Sequence, residues 1–350
     1  MNILILCDLR DPARPLESVG GVDYHRTVVP GINLARQHGH NVTFSKYLPD
    51  KCEFDVVIKS RTISNRGMDA EDLEAVRKWG IPMVIDIDDY WELPKEHILY
   101  EYWYAHNTDK RTLFAIENAD MVWASIFTLA KKIRQHNARV EVIKNAIDKT
   151  QPQFSNKDIQ PRNGGIRLGW AGSITHTHDF PVVRNGFGKL AQSGLDYNMN
   201  LFGYAPQDQN NVMVFAQYRL MCASHNVNLW NALPVDAYAK FYRQIDVAIA
   251  PLAANEFNAC KSELKLLEAG NFGVPVIASN CLPYYKNEFK DAVLFATRDT
   301  WFTHLKTLMT SAKMRKHYGA ELKKVCDKYY NIKIETEKRH KALCDLTGKK

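Results

Sequence analysis

Within FNACKSELKLLEAGNFGVPVIAS, residues 257–279, three side chains have the types and spacing for binding chemistry. Lys261, Lys265 and Glu268 stand at i, i+4 and i+7, so a helix over Lys261–Asn271 puts them on one face. Leu264 and Leu267 form the neighbouring stripe, available for burial. Two cations and a carboxylate near a helix start suit a ligand carrying a diphosphate and vicinal hydroxyls, which is a nucleotide. The lysines and the helix N-terminus would hold the phosphates, and the carboxylate would accept ribose hydroxyls. The same residues also read as a solvated charged face with an internal ion pair. Their surroundings decide between the two.

Other stretches offer complementary groups. Gly20-Gly21 open a helix that contains His25 and Arg26, and read either as a flexible turn or as a loop that lets a phosphate approach. They are not a G-x-G-x-x-G fingerprint. Gly169-Trp170-Ala171-Gly172-Ser173 leads into Thr175, His176 and Asp179; the N–H groups of Gly172 and Ser173 could cradle a phosphate, and Asp179 is either part of that site or a helix cap. Asp86-Ile87-Asp88-Asp89 ends a strand and is read as cleft lining without a metal, because the lysines already supply positive charge. Beside it, His97 and the aromatics Trp91, Tyr100, Tyr102, Trp103 and Tyr104 suit either a sugar ring or packing. His176/His178 and His38/His40 lack partners at metal-site spacing, so no metal is expected.

The elements that must position these groups alternate along the chain. Strands are expected at Asn2–Cys7, Asn41–Phe44, Phe54–Lys59, Met83–Ile87, Met121–Ala124 and Val140–Ile143, and again at Ile166–Trp170, Met199–Phe202, Val227–Leu229, Val247–Ala250, Val274–Ala278 and Val293–Phe295. Helices fall between them, at Val22–His38, Ala70–Trp79, Thr112–Asn118, Ile126–His136, Asp179–Ala191, Pro234–Arg243, Lys261–Asn271 and Trp301–Tyr318, with Pro30 kinking or dividing the first. The pattern is α/β: two Rossmann-like, doubly wound parallel-sheet domains facing across a cleft. Residues 1–150 form the first domain, 151–165 a polar linker and 166–325 the second domain.

With 350 residues, 45% hydrophobic and 24% charged, the chain has the composition of a globular two-domain protein. Its net charge of +7 permits a polyanionic partner without requiring one. Seven scattered cysteines with no CxxC pair point to a reducing, cytoplasmic compartment (a host's cytoplasm for a viral chain). MNILILCDLRD reads as a first strand rather than a signal peptide, and no stretch approaches 18 apolar residues.

Taken together, these stretches resemble GT-B glycosyltransferases of the large retaining family 4, the glycosyl transferases group 1. VEVIKNAID (140–148) resembles that family's V-x-V-I-P-N-G-I-D, GWAGSITHTHDF (169–180) its G-S-x-T-H-x-x-D-L, and residues 245–279 the donor signature of a subgroup with F-N-x-x-K-S-x-x-K-x-x-E. Many members carry a further glutamate eight positions before the one matched by Glu268. Here that position is Cys260, so Asn258 or Glu263 would have to replace its sugar contacts. The resemblance implies that Glu268 binds the ribose, while Lys261 and Lys265 neutralise the diphosphate. Gly20, Gly21, Gly172, Ser173, His176, Gly203, Asn258 and Ser262 complete the donor site, with Gly203 near the base. Leu266 and Leu267 pack the helix or line the pocket. Arg26, Arg61, Asp88 and Asp89 face the acceptor, and Asp88, His25 and Lys261 serve catalysis. It implies a UDP-sugar donor, no further cofactor, no metal, and a tail (326–350) folded as a helix back onto the first domain. Three acceptors stay open: a surface or lipid-linked glycan, a hydroxymethylated base of viral DNA approached by Arg10, Arg14, Arg26, Lys59, Arg61 and Arg66, and a small molecule or protein. A catalytically idle nucleotide-sugar or nucleic-acid binding module is the alternative reading.

Overall fold

The computed structural model describes residues 1–11, 13–154, 165–224 and 226–349. Each domain is built on a six-stranded, wholly parallel sheet. The first contains β1 (Asn2–Leu6), β2 (Asn41–Ser45), β3 (Val56–Ser60), β4 (Met83–Ile87), β5 (Met121–Ala124) and β6 (Val140–Val142), in the order β2-β1-β3-β4-β5-β6. The second contains β7 (Ile166–Ala171), β8 (Tyr197–Tyr204), β9 (Val227–Asn231), β10 (Val247–Ala250), β11 (Val276–Ser279) and β12 (Leu294–Ala296), in the order β12-β11-β10-β7-β8-β9. β3, β4, β5, β10 and β11 are buried along their whole length, because helices cover both sheet faces. The strand order reverses beside β1 and beside β7, which places a crevice at the C-terminal edge of each sheet.

All of the expected strands form, three of them (β4, β5 and β10) to the residue. The first helix is divided, as Pro30 requires. Gly21–Asp23 and Val29–His38 are α-helical, and a π-helical turn, Tyr24–Val28, joins them, with the Val29 N–H reaching back to the Tyr24 carbonyl. That turn carries both His25 and Arg26. The segment after residue 232 folds as a 3₁₀ helix, Tyr238–Gln244, and helix Leu264–Asn271 starts later than expected. Helix Gln209–Met221 was not foreseen. Its apolar residues are spread around it, leaving Met213 and Leu220 exposed, and Asp208 caps it by accepting from the Asn210 and Asn211 N–H groups. Of the expected linker, residues 155–164 lie outside the described residues, while Gln151, Gln153 and Phe154 are buried.

The chain returns to the first domain at Asn331, which bridges to Ile147. Helix Ile332–Thr347 then lies against Val29–His38 and buries Ile332, Ala342 and Leu343 in the first-domain core. Its Glu335 accepts the Lys144 N–H at 2.8 Å.

A histidine cluster closes the far end of this contact. The Met1 amine lies 3.3 Å from His40 Nδ1, and His40 Nε2 lies 2.9 Å from His340 Nδ1. Because an ammonium only donates, His40 must accept at Nδ1 and donate from Nε2. His38 stacks on His340 at 3.9 Å and faces Glu337, and Cys344 and Asp345 complete the surroundings. Burial lowers the His40 pKa to about 4, helped by the amine and the two other imidazoles; burial and His340 lower that of His38. The sign follows: undocked imidazoles protonate near 6.5, docked His40 only near 4. The buried histidine contacts therefore contribute their full stability above about pH 6.5 and lose it progressively toward pH 4, while the apolar docking of the helix is unaffected. The melting temperature should fall over that range, and less steeply in His40→Gln. Parallel curves for the two proteins would refute this.

Candidate active site

A cavity of about 470 Å³ opens between the C-terminal edges of the two sheets. The first domain lines it with Gly20, Gly21, His25, Arg26, Asp88, Asp89 and Asn145, and the second with His176, Lys261, Ser262, Lys265 and Glu268 among others. A slightly larger cavity, about 540 Å³, lies among Arg167, Phe272 and Pro275. It sits at the N-terminal ends of the second sheet's strands, the end that α/β folds do not use for ligands.

Lys261 precedes the helix, in a turn where its N–H bonds to the Asn258 carbonyl. The expected single helical face thus holds for Lys265 and Glu268 only, yet all three side chains reach the cavity. Leu266 and Leu267 are buried in the second-domain core and anchor the helix. Lys261 Nζ lies 3.6 Å from Asp89 across the cleft. Lys265 donates to the Ala171 carbonyl at 2.6 Å, and burial lowers its pKa to about 8. Glu268 is almost fully buried and accepts from the Tyr242 hydroxyl at 3.1 Å; burial raises its pKa to about 7, against the pull of Lys265. His25 Nε2 is 3.7 Å from Glu268, and burial with Arg26 nearby lowers its pKa to about 4, so it is neutral at pH 7. Opposite these groups, Gly20 and Gly21 start the helical run without a side-chain cap. A Cβ at either glycine would meet only open space. The start of that run and the two lysines therefore line one cavity, whose wall also carries Asp88, Asp89 and Glu268.

Both arginines expected to face an acceptor are committed within the first domain. Arg26 is buried, bonds to both Asp86 oxygens (2.7 and 3.1 Å), and also donates to the Ile143 carbonyl and to Asn145. Arg61 lies outside the cavity lining and clamps Asp88 at 2.8 and 3.1 Å and Asp89 at 3.2 Å, from a left-handed backbone with φ of 63°. That conformation costs a non-glycine residue about 1–3 kcal/mol. Burial would raise the Asp88 carboxyl, but the Arg61 guanidinium overrides it and holds it below the ordinary carboxylate value. Asp88 in the cavity is thus a fixed anion and a weak base.

Residues 165–311 match the family model described as Glycosyl transferases group 1. Similar solved structures span nearly the whole chain. Sucrose-phosphate synthase from Thermosynechococcus elongatus is 13% identical with a TM-score of 0.70, over 99% of this chain and 100% of that one. A glycosyltransferase from Rickettsia africae is 11% identical with a TM-score of 0.65, over 99% and 98%. Anabaena Alr3699/HepE, solved in complex with UDP and glucose, is 14% identical with a TM-score of 0.63, over 98% and 99%. The chain has the GT-B fold. No curated protein matches it by sequence.

Several residues expected around the donor turn out to build this GT-B cleft without lining it. The Gly172 N–H donates to the Phe202 carbonyl at 3.2 Å, so it is not available to a phosphate. A Cβ at Gly172 would lie 2.5 Å from the Trp170 ring, and one at Gly203, whose φ is 110°, would lie 2.0 Å from the Gly172 carbonyl. Both glycines therefore serve close packing. Ser173 caps the turn at Thr175. Asp179 is no helix cap: it accepts from His176, from the Ala253 N–H at 2.9 Å and from Asn258 Nδ2 at 2.6 Å, stapling the loop after β10 to the turn after β7. That staple takes Asn258 out of the cavity. Glu263 is buried against Lys286, and Cys260 joins Phe257 in the first-domain cluster with Trp91 and Ile126. Neither Asn258 nor Glu263 lines the cavity.

The aromatics after Asp89 also pack away from the cleft. Trp91 is buried, Trp103 donates to the Trp91 carbonyl, Tyr104 to that of Leu93, and Tyr102 stacks on His106. His97 meets His178 and Phe257 across the domain boundary. Asn145, Leu233, Val235 and Tyr238 line the cavity without having been singled out. Asn145 lies in the quoted VEVIKNAID motif and was within reach of sequence reasoning. Leu233, Val235 and Tyr238 follow β9 in a segment with no recognisable motif.

Among the described residues, no group of three or more His, Cys, Asp or Glu is placed to hold a metal, and no helix is long and apolar enough to cross a membrane. The basic residues named for nucleic acid divide in two: Arg26 and Lys59 are buried and Arg61 is clamped to Asp88, whereas Arg10, Arg14 and Arg66 are exposed, the last two beside Glu17 and Asp72.

Proposed function

We propose that this chain is a metal-independent, retaining glycosyltransferase that moves a sugar from a UDP-sugar to an acceptor hydroxyl. One observation carries the reading: Lys261, Lys265 and Glu268 face the uncapped helix start at Gly20–Gly21 across a cavity of about 470 Å³. Cations and N–H dipoles on both sides suit a diphosphate, and a buried carboxylate beside them suits ribose hydroxyls. The apolar side chains of Leu233 and Val235 and the ring of Tyr238 suit a flat base. Uridine is the base of choice because Anabaena Alr3699/HepE was solved with UDP and with UDP-glucose.

In the reaction the bond between the anomeric carbon and the diphosphate oxygen breaks, leaving negative charge on the phosphate and positive charge on the sugar. Lys261, Lys265 and the Gly21 helix start stabilise the first, which is where preorganised charge contributes most. The acceptor oxygen attacks from the face the phosphate leaves, and the departing phosphate oxygen takes the acceptor proton. Asp88, held as an anion by Arg61, orients the acceptor hydroxyl. Neutral His25 is placed to hydrogen-bond the sugar or its phosphate.

With Arg26, Lys59 and Arg61 tied up internally and only Arg10, Arg14 and Arg66 exposed, the acceptor reading moves toward a glycan or lipid-linked hydroxyl rather than a DNA base. The seven unpaired cysteines agree with a cytoplasmic site of action. A panel of nucleotide sugars tests the donor reading. UDP-sugars should raise the melting temperature by mass action and release UDP when an acceptor is present. Stabilisation without UDP release would point to a binding module that has lost transfer. Duplex-DNA binding that falls steeply with salt would return the acceptor to nucleic acid.

A further inference from the structure

Asn145 is 4% exposed and lies where the chain leaves the first sheet. One side of its amide faces Arg26 Nη1 at 3.0 Å, and the other faces Ser262 Oγ at 2.7 Å. A guanidinium has no acceptor, so the atom facing it must be Oδ1, which fixes the amide's orientation without ambiguity. The atom facing Ser262 is then Nδ2, a pure donor, so the serine oxygen accepts and its own hydrogen turns away from Asn145. Ser262 lines the cavity between Lys261 and Lys265 in sequence. Arg26 is itself held by both oxygens of buried Asp86. The contact runs from a first-domain side chain to a second-domain one, so it forms only when the two domains stand as close as they do here.

We propose that Asn145 is a positioning residue: on domain closure it turns the Ser262 hydroxyl into a hydrogen-bond donor aimed at a phosphate oxygen of the bound nucleotide diphosphate. This rests on the reading of the cleft as the donor site. Closure and phosphate recognition are thereby linked through one amide, and Arg26 and Asp86 serve as its support.

The test is a double-mutant cycle on UDP affinity, measured by titration calorimetry on the full chain. Asn145→Ala and Ser262→Ala should each weaken UDP binding about tenfold, the size of one hydrogen bond to a charged group. The double variant should be no weaker than either single one, because both remove the same contact. Ser262→Thr, which keeps a hydroxyl, should recover much of what Ser262→Ala loses. Additive losses of about a hundredfold in the double variant would overturn the proposal. So would wild-type affinity in Ser262→Ala beside weakened Asn145→Ala, which would leave Asn145 a purely structural role. A wild-type chain that binds no UDP would be a distinct result, overturning the donor-site reading itself.

Discussion

Replacing Lys265 with alanine should lower the rate of sugar transfer by about 30- to 1000-fold, corresponding to about 2–4 kcal/mol of lost transition-state stabilisation. Lys265 is held against the Ala171 carbonyl at the cleft wall, and burial lowers its pKa to about 8 when no ligand is present. Charge developing on a departing diphosphate would favour the protonated amine, so the contact strengthens as the bond breaks. That differential is what accelerates a reaction. The fold should survive, because the substitution removes the lysine stem and its bond to Ala171 while Leu266 and Leu267 still hold the helix in the core. Lys265→Arg should recover little, since a planar fork does not fit a site built for a point charge against one carbonyl. Initial rates of UDP release, beside melting temperatures, check this. Unchanged rates would remove Lys265 from the mechanism.

Glu268 carries the second large effect, on binding more than on the chemical step. Its carboxylate would accept two ribose hydroxyls, and each hydrogen bond to a charged group contributes about 1.5–3 kcal/mol. Glu268→Gln should therefore weaken UDP about 100-fold. The pH dependence gives the sign. Burial raises the Glu268 pKa to about 7, and the nucleotide needs the ionised form, so below pH 7 a proton competes with the ligand. UDP affinity should fall roughly tenfold per unit below that point. Above about pH 8 it should fall again, as Lys265 loses its proton. The wild-type profile is thus a bell, and Glu268→Gln should lose the acidic limb alone. A flat profile between pH 5.5 and 9 would contradict the assignment.

Much of this was legible in the sequence, for reasons that can be named. Strands buried on both faces read as short, mainly apolar runs, so the bounds of β4, β5 and β10 are legible to the residue, even with Asp86 inside β4. Helix Gln209–Met221 is not legible in the sequence, because it has no single apolar stripe to reveal its period. Lys261 reads as helical because spacing alone does not show the turn that Asn258 closes before Leu264. The charged residues were the hardest to place. Arg26 and Arg61 read as cations facing an acceptor, and only the fold brings Asp86 and Asp88 to them. Gly172 read as a phosphate cradle, and only the neighbouring strand shows that its N–H is already taken by Phe202. Local pattern fixes elements, whereas the partner of a buried charge is a long-range fact.

The most direct measurement is UDP release from a set of UDP-sugars, in wild type and in Lys265→Ala, with simple glycans as acceptors. Release from at least one UDP-sugar, reduced at least 30-fold in the variant, is the expected result. The account is contradicted if no nucleotide sugar is bound or consumed, or if the variant releases UDP as fast as the wild type.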